Sequence, residues 1–143
     1  MFLGEYFHSI DDKGRVAMPA KYREQVEKGA ILTRGNDGSL TIYALNEWEK
    51  LVEKIMQLPQ SKSEVRNYAR LVLAGAVEIK LDKQGRINIP KYLTEFASLD
   101  KKVVFVGLYD KVEIWDEQRW VQYRQEVENQ SVDVLEQLSE FGL

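Results

Sequence analysis

Apolar and polar positions alternate over two short stretches of this chain, and the two stretches match. In Arg15-Val16-Ala17-Met18, Val16 and Met18 take one face of a strand and Arg15 and Ala17 the other, and Pro19 stops the run. Arg86-Ile87-Asn88-Ile89 does the same before Pro90, 71 residues later. An Asp-x-x-Gly turn precedes each run, Asp11 to Gly14 and Asp82 to Gly85, and its glycine permits the positive φ that a tight turn often needs. Both arginines are predicted to stand opposite the apolar pair, away from the core.

The remaining periods extend the match. Short first strands are predicted at 6–10 and 77–81, and short helices after the prolines at 20–27 and 91–97. Strand pairs follow at 30–34 with 40–44 and at 102–107 with 112–115, the first joined by the hairpin signal Asn36-Asp37-Gly38 and the second by Tyr109-Asp110-Lys111. Asn46 is the expected N-cap of an amphipathic helix carrying Trp48, Leu51, Val52, Ile55 and Met56, and Asp116 that of a second carrying Trp120, Val121, Tyr123 and Val127. Ile31 to Gly35 aligns with Val103 to Gly107, Leu40 to Tyr43 with Val112 to Trp115 and Trp48 with Trp120, all at a spacing of 72. Lys21-Tyr22 aligns with Lys91-Tyr92 after a one-residue slip.

Two units are thus expected, at 5–57 and 76–128, forming a pseudo-two-fold pair around one core, since two copies are too few for a solenoid. Residues 58–75 supply a linker and a connecting helix from Ser63 to Leu73, with Gly75 as its C-cap, and 129–143 an acidic helical tail. The aromatic residues at repeated positions, Trp48, Trp115, Trp120, Tyr22 and Tyr92, read as core packing rather than base-stacking platforms.

The net charge of -3 argues at first against a nucleic-acid partner. Its distribution removes the objection. Glu126, Glu128, Asp133, Glu136 and Glu140 lie after residue 124 with no lysine or arginine among them, so the rest of the chain carries +2. Binding follows the local field, and an acidic tail is compatible with a basic face elsewhere. No cysteine is present, and neither a signal peptide nor an apolar run long enough to span a bilayer is seen, so a cytoplasmic protein is expected. Catalysis has little to work with. His8 is the single histidine and reads as an ordinary structural or surface residue, while no phosphate-binding loop or dinucleotide fingerprint occurs. No enzyme activity, metal or cofactor is expected.

The Asp11/Arg15 and Asp82/Arg86 pairs admit two readings. Each could be a surface salt bridge worth about 0–1 kcal/mol. Alternatively the aspartate aims an outward arginine whose fork suits guanine O6 and N7, with Lys13 and Lys83 nearby for phosphate.

The run F-x-G-x-Y-x-x-x-I-D-x-K-G-R-V-x-x-P-x-x-Y-R over residues 2–23 closely resembles the opening of the MraZ transcriptional regulators. D-x-x-G-R-I-x-I-P from Asp82 and V-G-x-x-x-x-x-E-I-W from Val106 resemble that family's other half. The resemblance implies an α+β fold, a swapped-hairpin β-barrel built from two SpoVT/AbrB-type units with flanking helices. It also implies a ring-shaped homo-oligomer that binds double-stranded DNA at tandem short repeats. Those repeats lie upstream of the division and cell-wall gene cluster, which the protein represses as a nucleoid-associated cytoplasmic regulator. Arg15, Lys13, Lys21 and Arg23 are then the main DNA-binding set, with Arg86 and Lys83 auxiliary because Gln84 stands where Lys13 would align, and Asp11 and Asp82 orient the arginines. The alternative is an AbrB-like protein-interaction or antidote module.

Overall fold

A computed structural model describes residues 1–143. In chain order the elements are β1 (Phe2–Ser9), β2 (Arg15–Ala17), α1 (Ala20–Glu27), β3 (Ala30–Arg34), β4 (Leu40–Ala44), α2 (Leu45–Gln57), α3 (Ser63–Leu73), β5 (Val77–Ile79), β6 (Arg86–Asn88), α4 (Lys91–Phe96), β7 (Lys102–Tyr109), β8 (Lys111–Asp116), α5 (Glu117–Asn129) and α6 (Ser131–Gln137), with a closing 3-10 turn at Ser139–Phe141. The α+β expectation holds.

The strands form an antiparallel six-stranded sheet in the order β1-β7-β8-β4-β3-β5 and a two-stranded ribbon, β2 with β6. Exchanging the units (β1 with β5, β3 with β7, β4 with β8) leaves the sheet order unchanged, and the ribbon maps onto itself. Three of the sheet's five pairings, and the ribbon's single one, join a strand of one unit to a strand of the other. Each unit alone would leave these edges unpaired, so the repeats share one hydrogen-bonded framework.

The expected barrel is not what forms. The ladder ends at β1 and β5, which do not pair with each other, so the sheet stays open. Its apolar inner face is closed by the ribbon and by α1 and α4. Val16 and Ile87 of the ribbon, Tyr22 and Leu93 of the helices and Leu32 and Phe105 of the sheet belong to one buried core. The outer face is covered separately: Val104, Val106 and Trp115 pack against Trp120 of α5, and the Thr33 hydroxyl donates to the Val72 carbonyl of α3 at 2.6 Å. The ribbon and the start of the acidic C-terminal segment therefore lie on opposite faces of the sheet.

Pairing register corrects the alignment of the repeats. Leu40 pairs with Ile114 and Ile42 with Val112, so β4 maps onto β8 at a spacing of 72. Within the hairpins Ala30 pairs with Ala44, and Val103 with Asp116; since Ala44 corresponds to Asp116, Ala30 corresponds to Val103, a spacing of 73. Ile31 to Gly35 thus aligns with Val104 to Leu108, one residue beyond the sequence match. A slip of one residue reverses the faces of a strand. The corrected spacing puts Leu32 and Phe105 together on the inner face.

Several local expectations change as well. β1 begins at Phe2 rather than residue 6, while Ile10 makes only an isolated bridge to Val16. Helix α2 starts at Leu45, so its N-cap is Ala44 and not Asn46, and no side chain caps it. Asp116 does cap α5, accepting from Arg119 N at 3.4 Å. Gly75 follows α3 without a left-handed φ. A Cβ there would lie 2.7 Å from both the Leu71 carbonyl and the Arg34 guanidinium, so close packing rather than turn geometry calls for glycine. Both prolines stand at the N-caps of α1 and α4, which makes Leu93, not Tyr92, the counterpart of Tyr22. Tyr22 and Trp115 are buried, Trp48 and Trp120 half-buried, and Tyr92 exposed, outside the core expected for it.

Candidate nucleic-acid interface

The two Asp-x-x-Gly-Arg segments fold into nearly the same turn. In the first, Asp11 N donates to the Arg15 carbonyl at 3.0 Å and Gly14 N to the Asp11 carbonyl at 3.1 Å. In the second, Asp82 N donates to Arg86 O at 2.9 Å and Gly85 N to Asp82 O at 3.0 Å. Both glycines are left-handed, at φ 83° and 75°. This is the conformation L side chains resist, at about 1–2 kcal/mol per residue.

The aspartates complete the turns with their side chains. Asp11 Oδ1 accepts from the backbone N–H of Lys13 (3.0 Å) and Arg15 (2.9 Å), and Oδ2 from Arg15 Nε at 2.7 Å. Asp82 repeats the pattern with Gln84 N (2.8 Å), Arg86 N (2.9 Å) and Arg86 Nε (2.8 Å). Position 13 or 84 thus serves the turn through its backbone, and the lysine-to-glutamine difference leaves turn geometry intact. The Arg15 N–H bond is the largest influence on Asp11, and the Arg86 N–H bond on Asp82. Both hold their carboxyls below the ordinary value of 3.8. Because each aspartate takes Nε, the two terminal nitrogens of the guanidinium remain available. The arginine side chains are similarly accessible, 38% for Arg15 and 32% for Arg86.

The ribbon brings these turns together. Arg15 pairs with Asn88, Val16 with Ile87 and Ala17 with Arg86. Val16 and Ile87 are buried, so Arg15, Ala17, Arg86 and Asn88 share the outward face, as the alternation predicts for the arginines. The turns are also docked onto the opposite strands. Met18 N donates to the Gly85 carbonyl at 2.9 Å, and Ile89 N to the Gly14 carbonyl at 2.8 Å.

The other cations distribute unevenly. Lys13 and Lys83 are exposed on their respective turns, and Lys21 is exposed on α1. Arg23 is not at the first turn, where its place in the sequence puts it. Its Nε donates to the Met18 carbonyl at 3.0 Å, and its guanidinium lies over Gly85, where an added Cβ would be 2.8 Å from Cζ. Burial first, and then the Arg23 charge, push the His8 imidazole below its ordinary 6.5. Over Gly14 lies instead the side-chain oxygen of Asn88, 3.3 Å from an added Cβ. The second turn therefore gathers Lys83, Arg86 and Arg23, and the first Lys13, Arg15 and an amide. Neither Asn88 nor the Arg23 crossing was found from the sequence. The alternation did place Asn88 on the Arg86 face, but the cross-strand register was needed to set it beside Arg15.

No group of three or more His, Cys, Asp or Glu side chains is placed to hold a metal ion, and no helix is long and apolar enough to cross a membrane. What the fold and this face define is a two-unit α+β protein presenting paired, aspartate-held arginines on a shared β-ribbon. A family described as "MraZ protein, putative antitoxin-like" matches the chain twice, over residues 1–71 and 72–141. The chain is 44% identical to the transcriptional regulator MraZ of Natranaerobius thermophilus, 43% to that of Caldanaerobacter subterraneus subsp. tengcongensis and 46% to that of Pediococcus pentosaceus. Each comparison runs over 143 residues, the full length of both chains. The chain belongs to the MraZ family.

Proposed function

We propose that this chain is a sequence-specific DNA-binding transcriptional regulator. It binds tandem short repeats upstream of the division and cell-wall gene cluster and represses that cluster. One observation carries the reading: Arg15 and Arg86 project from one ribbon face, each fixed through Nε with its terminal nitrogens free. A fork so held can meet guanine O6 and N7. Prior orientation reduces the ordering cost of binding. Lys13, Lys83, Lys21 and Arg23 supply phosphate neutralisation in this reading, and Asp11 and Asp82 act as orienting residues. The exchange of strands between units 5–57 and 76–128 supports describing the fold as a swapped-hairpin arrangement, with an open sheet in place of the barrel.

One such ribbon offers few contacts, and non-specific affinities near physiological salt are only about 10⁻⁴–10⁻⁶ M. Several copies in a ring, each on one of a series of direct repeats, convert later contacts into intramolecular ones. The reading has no role for a cofactor or a catalytic step, and locates the protein with the nucleoid in the cytoplasm.

Footprinting on the DNA upstream of the protein's own gene tests this. Protection of repeated short segments is expected, with Arg15→Ala abolishing it while the circular dichroism spectrum and the oligomer stay unchanged. Full protection by the variant would refute the reading. Co-purification of a stoichiometric second protein, without retention on DNA, would favour the antidote alternative suggested by the family's description.

A further inference from the structure

We infer that Asn88 is a base-reading residue: it gives the DNA element an adenine preference beside the base met by Arg15, and so deprives that element of two-fold symmetry. The inference rests on the DNA-binding reading above and adds the side chain that discriminates. Asn88 lies directly across the ribbon from Arg15, and Ala17 directly across from Arg86, so Asn88 and Ala17 occupy equivalent places in the two units. Directly opposed residues have Cβ atoms about 4.5–5.5 Å apart, so the Asn88 amide and the Arg15 fork address neighbouring positions on a ligand.

The chemistry at these places differs. Asn88 is exposed, its amide has no hydrogen-bond partner within the chain, and its oxygen rests above Gly14 at the foot of the first turn. A free amide presents a donor and an acceptor side by side, the complement of adenine N7 and N6 in a major groove wide enough for a two-stranded ribbon. Ala17 presents one methyl. The room it leaves near the second turn holds Arg23, which carries charge but no acceptor. One end of the ribbon therefore offers an arginine with an amide, and the other an arginine with a methyl and a second cation. Such a pair meets a symmetric site badly, and successive copies in one orientation meet direct repeats well.

The test is selection by the full-length protein from double-stranded oligonucleotides with a randomised central segment, followed by affinity measurement on the enriched sequence. The wild type should enrich a non-palindromic motif. Asn88→Ala should retain it except at one adenine beside a guanine, with affinity down about 5- to 150-fold on the wild-type sequence. Asn88→Asp, an acceptor only, should move that position from adenine toward cytosine, a change that unfolding could not produce. Ala17→Asn should add an adenine at the symmetry-related position. If Asn88→Ala selects the wild-type motif at wild-type affinity while Arg15→Ala selects nothing, the role of Asn88 is refuted and the DNA reading stands. If the wild type enriches no sequence, the DNA reading fails and this inference fails with it.

Discussion

The first and second turns share their aspartate, glycine and arginine, their backbone hydrogen bonds and the direction of their guanidinium groups, yet they do not share their surroundings. Gly14 lies under a backbone carbonyl and the Asn88 amide, and Gly85 under the end of the Arg23 side chain. The turn itself is a local matter: four residues and one aspartate side chain close it wherever they occur. What finishes each turn comes from the other unit, delivered to the first by the β2–β6 register and to the second by the first turn of α1. A repeated motif in a pseudo-symmetric protein can therefore keep its geometry while its chemistry diverges through neighbours that its own sequence does not contain.

Adding a methyl to each glycine should break the comparison most strongly. In Gly14→Ala the new Cβ meets the Ile89 backbone carbonyl at the end of the ribbon, in a left-handed conformation. The conformational cost of about 1–2 kcal/mol adds to an overpacking cost of about 1–3 kcal/mol. In Gly85→Ala the neighbour is a guanidinium that can swing into solvent, which leaves mainly the conformational cost. Urea denaturation should show Gly14→Ala destabilised by about 2–5 kcal/mol and Gly85→Ala by about 1–2 kcal/mol. Equal losses would mean that the carbonyl contact relaxes freely.

The tyrosines give a smaller contrast. Burial pushes the Tyr22 phenol up to about 12, so it remains protonated and donates to the Leu3 carbonyl at 2.7 Å, tying α1 to the edge strand β1. Tyr92 donates to the Gly75 carbonyl at 2.9 Å from an exposed ring. Tyr22→Phe should cost about 1–2 kcal/mol by denaturation, and Tyr92→Phe less than about 1 kcal/mol, since water can replace the latter's bond. Equal losses would show that the two hydroxyls are equivalent after all, and the reverse order that the Tyr92 bond is the less replaceable one.

Much of this arrangement was legible in the sequence because it is local. The Asp-x-x-x-Arg spacing, the alternation after it and the proline stop determine which way Arg15 and Arg86 point; the prolines also announced α1 and α4, and helix periodicity found α2, α3 and α5. The misses are non-local. Val103 to Val106 is an unbroken apolar run buried on both faces, with no alternation to fix its phase, so the true spacing of 73 looked like 72. Whether the sheet closes depends on β1 and β5 meeting, and nothing within either strand states that. Arg23 looks like a member of the first turn until α1 is seen to carry it to the second. The expected Asn46 cap failed because the helical turn begins directly where β4 ends, two residues earlier than an Asn46 cap requires.

Removing single cations probes the unequal charge at the two turns. If both turns meet phosphate, Lys13→Gln and Lys83→Gln should each lower affinity without altering sequence preference, reducing the salt slope by about 0.9. Arg23→Gln should behave as a second-turn substitution, adding to Arg86→Ala less than additively because both lie at the same turn. Its effect should be independent of Lys13→Gln. Coupling of Arg23 to Lys13 rather than to Arg86 would place it functionally at the first turn, against its position over Gly85.

The mildest test concerns pH, and it asks whether the turns are as alike as their hydrogen bonds. Both aspartates have folded pKa values below 3.8, with the same leading cause, the arginine backbone N–H. A depressed carboxyl contributes stability that is fully present above its unfolded pKa and is lost as pH falls through its folded pKa. Neither aspartate should therefore add slope to stability or DNA affinity between about pH 5 and 8, and both contributions should fade together below about pH 4. A carbon-13 titration of the side-chain carboxyls should give two depressed and nearly equal values. An Asp82 that titrates at or above 3.8 would mean that the second turn is open in solution, and its likeness to the first would be lost.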